Sequence, residues 1–598
     1  MKPSSISIAL CAVVACRADV PPRDDWPVTG GDGANTRYSP LAQITRDNVA
    51  GLRVAWTYHT GDLARDAHGE IQATPIVVNG VLYATTPALA VIALRADSGT
   101  LLWRFDPFEH RPRESHVNRG VTYWNNGDSS RVFFSAGRRL YALDARSGRP
   151  VLSFGDSGSV DLGAGLSRDP GHAYLVATTP GVIYKDVLVQ GMRVGEEEGS
   201  APGDVRAYDV RTGAIRWTFH TIPRRGEPGD DSWPPDAWKV AGGANSWAGM
   251  AVDTARGIVF APTGSATPDF YGGDRAGANL YANTLLALDA ATGRRLWHFQ
   301  TVHHDVWDRD LPAAPNLLRV KRGLRSIEAV AQITKSGFVF LFDRVSGAPL
   351  FAIDERPVPR SDLAGESSWP TQPYPTRPAP FARQRMTESD VTNITASAHD
   401  SALARFRTLK TGSLFAPPSR EGTIVLPGFD GGGEWGGSAV DPETATLFVN
   451  ASDVPWIARM RETVAMTSTT TPRTGAQVYA AYCARCHGDD RSGGDRAPAL
   501  VKIAQRRSAD ELRRVLQYGR GFMPSFSRLP GRERDAVISY LGYSARSRSR
   551  AEDDAGDDRP TSRYEFAGYE RWRDAAGYPA IKPPWGTLSA IDLNSGRY

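Results

Sequence analysis

Short runs with hydrophobic residues at every second position recur along most of the chain, and long apolar helical runs are missing. The run over 75–83, which reads Pro-Ile-Val-Val-Asn-Gly-Val-Leu-Tyr, is typical of such period-2 strands. The chain also contains 59 Gly, 42 Pro and 15 Trp among its 598 residues. This pattern predicts many short strands joined by turns.

One polar motif returns between these runs: an apolar pair, Asp, two residues, Ser or Thr, Gly, and a short run that often ends in an aromatic residue. A strand would end at the Asp, the Asp and Ser/Thr side chains would bond the turn backbone, and Gly would take the positive-φ position. The full copies end at Gly99, Gly148, Gly213, Gly293, Gly347 and Gly596, and a degenerate copy lies at Asp441 and Thr444.

The spacing of these copies predicts a repeat fold. Gly148 lies 49 residues after Gly99, and Gly347 lies 54 residues after Gly293. Such periods, with four strands per unit, are the signature of a β-propeller. A set of unrelated hairpins is the alternative, but seven copies of the motif argue against it. We therefore expect an all-β propeller whose first part spans residues 24–466.

The repeat pattern is interrupted once by a segment of different character. At about residue 467 a Thr/Ser-rich linker begins and leads into helical sequence, which predicts a small all-α domain over 467–545. A run rich in Arg and Ser, then in Asp and Glu, follows over 546–563 and indicates a solvated linker. The propeller resumes over 564–598 and stops inside a repeat motif, so we expect a propeller that is truncated at its C-terminus.

The N-terminus predicts export. Residues 1–18 carry one basic residue before an apolar stretch that is too short to span a bilayer. The sequence before Cys16 resembles a lipoprotein cleavage box, which would anchor the chain by lipid; ordinary cleavage near Ala15 or Ala18 is the alternative. We expect a periplasmic protein. The formal net charge of +4 gives no reason to expect a nucleic-acid partner.

Cys483-Ala-Arg-Cys486-His487 is a covalent c-type haem attachment pattern. The two thiols would add to the haem vinyl groups, and His487 would be one axial ligand. A zinc site would need a second ligand pair, which the insert lacks, and a redox dithiol usually has a different context. Met523, in a Met-Pro loop about 35 residues further on, is the candidate for the sixth iron ligand.

At this point the sequence resembles a known family, the dehydrogenases that use pyrroloquinoline quinone (PQQ), especially the glucose/alcohol branch. The resemblance starts at Trp26 and Thr36-Arg37-Tyr38-Ser39-Pro40-Leu41. It continues through Asn118 to Trp124 and is most specific over 300–312, Gln-Thr-Val-His-His-Asp-Val-Trp-Asp-Arg-Asp-Leu-Pro. It implies an eight-bladed propeller with an inserted cytochrome c domain, and PQQ, Ca²⁺ (or Mg²⁺) and haem c as cofactors.

The resemblance also implies a site. Asp308 matches the family's catalytic aspartate, and Lys335 matches the cation beside the quinone carbonyls. Arg119 matches the arginine that binds a PQQ carboxylate, and Trp247 matches the indole that stacks under the ring. Further expected cofactor contacts and metal ligands are Gln72, Thr178 and Glu434 for PQQ, and Glu196, Ser265 and Asp308 for the divalent cation.

Two positions depart from the family pattern. Ser265 stands where the family has an asparagine metal ligand, and a hydroxyl is a weaker ligand for a hard cation than an amide carbonyl. Glu434 stands where the alcohol branch has Asn. Neighbouring Glu197 and Glu198 are either compensating ligands or surface charge.

The implied function is oxidation of a sugar, cyclic polyol or alcohol by hydride transfer to PQQ. Electrons would then leave through the haem to a periplasmic acceptor, a cytochrome or a quinone. Two alternatives stay open: a non-catalytic propeller scaffold of the outer-membrane assembly type, and a degenerate quinoprotein that only transfers electrons. Arg119, Glu196, Trp247, Asp308 and Lys335, together with the haem motif, favour the enzyme.

Overall fold

The computed structural model describes residues 25–62, 70–110, 117–171, 173–463, 473–493, 497–518, 523, 526, 529–543 and 562–598. The predicted leader over 1–18 with Cys16, the linker over 467–472 and all but the last two residues of 546–563 lie outside these ranges. Short antiparallel strands are the main regular secondary structure of the described chain, as the alternating pattern predicts. No helix in the described parts is long and apolar enough to cross a membrane.

Four sheets have four strands each, and within each sheet neighbouring strands follow chain order. They comprise β1–β4 (Ile76–Val78, Val81–Thr85, Val91–Arg95, Leu101–Phe105), β5–β8 (Thr122–Asn125, Ser130–Ala136, Arg139–Asp144, Ser159–Asp161), β10, β11, β13 and β14 (Val182–Tyr184, Val187–Gln190, Val205–Asp209, Ile215–Phe219), and β16, β17, β19 and β20 (Ala251–Asp253, Ile258–Pro262, Thr284–Asp289, Arg295–Gln300).

The other sheets have three or two strands. The three-stranded ones comprise β21–β23 (Asn316–Arg322, Arg325–Ile333, Val339–Asp343), β26, β29 and β32 (Thr423–Val425, Trp456–Ala458, Glu570–Arg571), and β27, β28 and β33 (Ser438–Asp441, Thr446–Ser452, Gly586–Asp592). The two-stranded ones pair β9 with β12 (Leu175–Val176, Arg193–Val194), β15 with β18 (Gly242–Gly243, Ala266–Thr267), β24 with β25 (Ile353–Pro357, Thr371–Pro375), and β30 with β31 (Met460–Glu462, Tyr564–Phe566).

The hydrophobic core lies between consecutive sheets. Val91 and Val132 belong to one buried cluster that joins the first two four-stranded sheets, and Leu140 and Leu188 belong to the next. The same pattern continues through the fourth sheet and into β21–β23. Sheets that stack face to face in chain order form a propeller, which confirms the predicted fold class. The number of eight blades stays a prediction.

The repeated motif joins one sheet to the next. The indole of Trp103 lies against Gly148 of the following copy, and its Nε1 donates to the Ala145 carbonyl at 3.0 Å. Three other indoles donate in the same way to the next turn: Trp56 to Ala96, Trp217 to Ala290 and Trp297 to Arg344, at 3.1–3.2 Å. The glycine is therefore needed twice, for a positive φ and for room beneath the indole.

One copy breaks this pattern. Leu152 stands four residues after Gly148, where the copies that end at Gly99, Gly213 and Gly293 have tryptophan. Gly213 accordingly faces Val160 and Gly155. Each of three motif strand pairs also carries a one-residue irregularity at the same place, at Ala93/Leu94, Ala207/Tyr208 and Ala287/Leu288.

Helices occupy the described insert. They comprise α2 (Gly475–Val478), a π-helical turn (Tyr479–Cys483), α3 (Ala484–His487), α4 (Ala509–Tyr518) and α5 (Gly531–Tyr540). The sequence predicts the third long helix over 535–541. It instead begins at Gly531 because Pro530, with its fixed φ of −50°, occupies the N-cap. The propeller part adds one helix that the sequence does not predict, α1 (Ala396–Phe406), which Thr395 caps through Ala398 N.

Gly148→Ala should destabilise the propeller more than Gly80→Ala. Both glycines have a positive φ, +70° and +74°, which costs an Ala about 1–2 kcal/mol. A Cβ at Gly148 would meet the Trp103 ring at 2.5 Å, whereas a Cβ at Gly80 meets nothing within 4 Å. The clash should add a further ~1–3 kcal/mol. Urea unfolding followed by tryptophan fluorescence measures both losses, and equal losses would contradict the role of the indole.

Candidate active site

Asp308 and Lys335 form an ion pair in the interior. Lys335 lies in the turn between β22 and β23, and its Nζ donates to Asp308 Oδ1 at 2.7 Å. The two side chains are 7% and 9% exposed. Asp308 has a φ of +54°, an uncommon conformation that the surrounding loop maintains. Strained backbone at a buried charged residue is typical of functional sites.

The charges of this pair depend on further carboxylates. Burial raises the pKa of Asp308 well above its ordinary value; Lys335 opposes the rise, and Asp310 and Glu196 add to it. Burial alone would lower the pKa of Lys335, but Asp308, Asp310 and Glu434 raise it. Lys335 is therefore a permanent cation, and Asp308 is suited to take up a proton.

Trp247 lies at the centre of the predicted site. Its Nε1 donates to Asp310 Oδ2 at 2.7 Å, and its carbonyl accepts from the hydroxyls of Thr178 and Thr179 at 3.4 and 2.8 Å. Lys335 Nζ is 6.0 Å from the centre of the ring. These bonds fix the indole plane, so the ring can serve as a flat floor.

Arg119 lies over the same indole. Its guanidinium carbon is 5.5 Å from the Trp247 ring and 4.8 Å from the Trp435 ring, and its Nη1 donates to Thr178 Oγ1 at 3.0 Å. Burial, followed by the charge of Arg193, lowers the pKa of Arg119 to about 10. Its Nε is buried without a hydrogen-bond partner in the described chain. The site therefore offers a cation and a free donor to an anionic group that stacks on Trp247.

Glu196 and Asp269 add negative charge beside Asp308. Burial raises the pKa of Asp269 well above its ordinary value, and Glu196, Asp308, Asp310 and Asp305 raise it further. Such a concentration of carboxylates is compensated best by a cation. Sequence reasoning missed Asp269, since a single Asp in the loop after Thr267 gives no signal.

Ser265 is bound to two other aspartates. Its hydroxyl is hydrogen-bonded to Asp305 and, at 2.8 Å, to Asp310 Oδ1, which also accepts from Ser265 N at 2.6 Å. Asp310 thus connects Ser265 to Trp247. The role of Ser265 as a metal ligand stays a prediction. Sequence reasoning gave Asp310 no role, although it stands two residues after Asp308.

The remaining predicted contacts lie at the edges of this group. Glu434 is close enough to Lys335 and Arg119 for both charges to lower its pKa, although burial raises it overall. Gln72 donates to Glu70, whose charge acts on Arg119, and Gln72 Oε1 is buried without a partner in the described chain. Glu197 accepts from Glu196 N and Glu198 accepts from Ser562 N, so both support the backbone.

The phenol of Tyr569 reaches Glu196 from the segment that follows the insert. Its hydroxyl donates to Glu196 Oε2 at 2.6 Å. Sequence reasoning missed this residue, because more than 350 residues separate the two partners and no motif marks it.

Among the described residues, no group of three or more His, Cys, Asp or Glu side chains is arranged to hold a metal ion. The predicted ligand set, Glu196, Ser265 and Asp308, contains two carboxylates and a hydroxyl.

The haem motif lies on a short helix with a π-helical turn before it. Cys483 is buried and Cys486 is exposed. His487 is buried, and its Nδ1 lies 2.8 Å from the Pro498 carbonyl, so that nitrogen donates and Nε2 is left as a ligand. Burial lowers the pKa of His487, which keeps the imidazole neutral. Met523 packs against the hydrophobic cluster that contains Cys483.

His304, four residues before Asp308, forms a buried pair with Glu366. His304 Nε2 lies 2.8 Å from Glu366 Oε1, and His304 Nδ1 lies 2.8 Å from the Gly277 carbonyl. Both side chains are 1% exposed. Burial alone would raise the pKa of Glu366, but hydrogen bonds from His304 and Gly272 N and the charge of Arg275 hold it below its ordinary value of 4.5.

Two family models match the chain. The model described as glucose/ethanol/alcohol dehydrogenase, beta-propeller domain, matches residues 26–490. The chain belongs to this family of PQQ quinoproteins. A second model, described as cytochrome c oxidase, cbb3-type, subunit III, matches residues 470–541. The inserted segment is therefore a cytochrome c domain.

Relatives of the quinoprotein resemble the chain along most of its length. It is 34% identical over 471 residues to quinoprotein glucose dehydrogenase A of Acinetobacter calcoaceticus and 33% identical over 470 residues to the quinate/shikimate dehydrogenase (quinone) of Acinetobacter baylyi. Each alignment covers 73% of this chain and 58% of the relative. The chain thus spans less than two thirds of the length of these relatives.

A solved structure of a quinohemoprotein also resembles the chain. The quinohemoprotein alcohol dehydrogenase from Comamonas testosteroni superposes with a TM-score of 0.55 at 25% identity, covering 74% of this chain and 60% of that chain. The comparisons support PQQ, Ca²⁺ and haem c as the cofactors of the quinoprotein. The residues fit these groups: Arg119 and its free Nε fit a carboxylate, Trp247 a planar ring, and the carboxylates near Asp269 a cation.

Glu366→Gln should lower the thermal stability of the protein at neutral pH and have less effect in acid. Since the pKa of Glu366 is depressed by folding, its charge stabilises the fold above about pH 4.5, and this contribution is lost as the pH falls through the folded value. Melting temperatures of wild type and variant, measured from pH 7 to pH 3, should converge at the acid end. A constant difference across that range would contradict the role of the charge.

Proposed function

We propose that the protein is a periplasmic PQQ-dependent dehydrogenase that oxidises a sugar, a cyclic polyol or an alcohol. Electrons leave through the covalent haem c to a periplasmic acceptor, a cytochrome or a quinone. The observation that carries the proposal is the buried Lys335–Asp308 pair beside Trp247, in a chain of the quinoprotein family.

Each residue of the site has a task in this reaction. Asp308 accepts the proton of the substrate hydroxyl, because its raised pKa makes the carboxylate basic. Lys335 stays charged and donates toward developing negative charge. Arg119 and Trp247 bind and orient the flat anionic cofactor. Bound PQQ would supply the hydride acceptor, and the divalent cation a Lewis acid held by Glu196 and Asp308.

The substrate class is supported by the names of the relatives. Those at 31–34% identity include glucose, quinate/shikimate and glycerol dehydrogenases. All of these names refer to compounds with several hydroxyl groups. A sugar or cyclic polyol is therefore favoured over a simple alcohol.

The haem domain gives the electrons a path within the same chain. Cys483 and Cys486 would bind the haem covalently, and His487 and Met523 would coordinate its iron. An attached haem makes the first electron transfer intramolecular. The predicted leader supports export to the periplasm, and cleavage at the lipoprotein box would make Cys16 the point of a lipid anchor.

Asp308→Asn should abolish turnover while PQQ still binds. The amide keeps the shape of the side chain but accepts no proton. The protein is reconstituted with PQQ and Ca²⁺, and dye reduction is followed over aldoses, cyclic polyols and primary alcohols. Asp354→Asn, at a side chain that is 52% exposed, is the matched control and should behave as wild type. Unchanged turnover in Asp308→Asn, or a wild type that oxidises none of these compounds, would refute the proposal.

Met523→Ala should lower the reduction potential of the haem, because a thioether ligand raises that potential. Dye-coupled oxidation of the substrate should be largely unchanged, since the dye takes electrons before they reach the haem. Potentiometric titration of the haem absorbance measures the first effect, and the dye assay is the control. A haem potential equal to that of wild type would show that Met523 is not the ligand.

A further inference from the structure

The two segments that flank the haem domain form one long antiparallel hairpin. Its backbone ladder runs from the bond of Trp572 N to the Pro455 carbonyl, at 2.9 Å, to the bond of Thr463 N to the Arg563 carbonyl, also at 2.9 Å. Between these ends, Ile457 pairs with Glu570. The hairpin is therefore both part of the propeller and the support of the haem domain.

The haem domain is bonded to this support. Arg461, on β30, binds Glu565 on β31 through Nε at 2.7 Å, and its Nη2 donates to the Ala481 carbonyl at 3.1 Å. Ala481 lies in the π-helical turn that leads into the haem motif. One arginine thus connects both strands of the hairpin to the helix that carries Cys483.

A bulge interrupts the returning strand. Ile457 pairs with Glu570 and Met460 pairs with Phe566, so two residues on one strand face three on the other, 567–569. The extra residue is accommodated at Gly568, whose φ is +116°. A β-bulge redirects the neighbouring side chain, and here it turns Tyr569 toward the site.

Aromatic neighbours hold the Tyr569 ring, and its hydroxyl has a polar partner. The ring centre lies 5.0 Å from that of Phe566, 5.4 Å from Phe429 and 5.9 Å from Trp456, all near perpendicular. The hydroxyl donates to Glu196 Oε2 at 2.6 Å, a short bond to a charged acceptor. The ring packing and the hydrogen bond can therefore be separated by removing only the oxygen.

Glu196 needs such a partner. It lies in the loop after β12, its side chain is 40% exposed, and Arg193 is 3.6 Å from its other oxygen. A carboxylate on an open loop rotates freely unless a neighbour fixes it, and partners beyond the ligands themselves orient metal-binding carboxylates.

We propose that Tyr569 is a positioning residue that holds the Glu196 carboxylate for the divalent cation. The hairpin that supports the haem domain therefore completes the metal site of the propeller. This inference rests on the proposed function, because it takes Glu196 as a ligand of the cation. Ring packing alone is the competing explanation of the Tyr569 position.

Tyr569→Phe should raise the Ca²⁺ concentration needed for half-maximal PQQ uptake about 10-fold. This is the lower end of the loss in metal affinity that follows when the hydrogen-bond partner of a metal ligand is removed. Full-length apoprotein is titrated with Ca²⁺ at fixed PQQ, and uptake is read from quenching of tryptophan fluorescence. Tyr564→Phe is the matched control: it removes a phenol oxygen from the same returning strand, where the ring packs on Tyr271 at 5.5 Å. The control should keep the wild-type Ca²⁺ midpoint.

Thermal unfolding of the metal-free proteins separates positioning from packing. Without Ca²⁺, Tyr569→Phe should melt at most a few degrees below Tyr564→Phe, since both variants keep their rings and only the first loses a hydrogen bond to a charged acceptor. An unchanged Ca²⁺ midpoint in Tyr569→Phe, or an equal shift in both variants, overturns the inference while the proposed function stands. If wild-type protein takes up no PQQ at any Ca²⁺ concentration, the proposed function itself fails.

Discussion

The buried ion pair between Lys335 and Asp308 sets a requirement that the rest of the site meets. Removing two charges from water is costly, and a pair alone rarely recovers that cost. Here the cost is greater, because Asp310, Asp269 and Glu196 place three further carboxyl groups around the pair, and burial and mutual repulsion raise the pKa values of Asp308 and Asp269. Such an arrangement adds little to the stability of the fold. It is suited to bind a cation and a group that accepts hydrogen bonds. The electrostatics thus favour a ligand site over a structural salt bridge.

The propeller supplies the rigidity that this charge cluster needs. Arg119, Thr178, Glu196, Trp247, Ser265, Asp308, Lys335 and Glu434 all lie in loops, and different sheets contribute them. Their mutual positions therefore depend on how the sheets are fixed to one another, which the indole-to-turn contacts accomplish through both packing and hydrogen bonds. Loops on a rigid scaffold are the usual location of catalytic residues. The same repeat that makes the fold recognisable thus also holds the site together.

Local chemistry explains what the sequence could predict. The Asp-to-Gly turn motif, the strand alternation and the Cys-x-x-Cys-His pattern each act within a few residues, and the structure has the turns and the helix where the motif predicts them. The contact between Trp103 and Gly148 could not be predicted in that way, since it joins consecutive sheets. Asp269 and Asp310 acquire their roles from burial and neighbouring charge, which the sequence does not display. Helix α1 begins at a cap by Thr395, and this cap belongs to no repeat motif. Family resemblance brought Asp308 and Lys335 together; periodicity alone could not.

The position of the haem domain has a physical consequence for the propeller. An insertion of about a hundred residues separates the ends of a hairpin, and the entropy of closing such a loop grows only slowly with its length. The hairpin between Pro455 and Trp572 closes the loop with a backbone ladder that only the bulge interrupts, and it fixes both ends beside the site. Because the bulge at Gly568 lies on the returning strand, Tyr569 can reach Glu196 only if the hairpin closes in register. Pairing of the hairpin in register and the position of the Glu196 carboxylate are therefore one folding requirement, which a haem domain attached at a chain end would not impose.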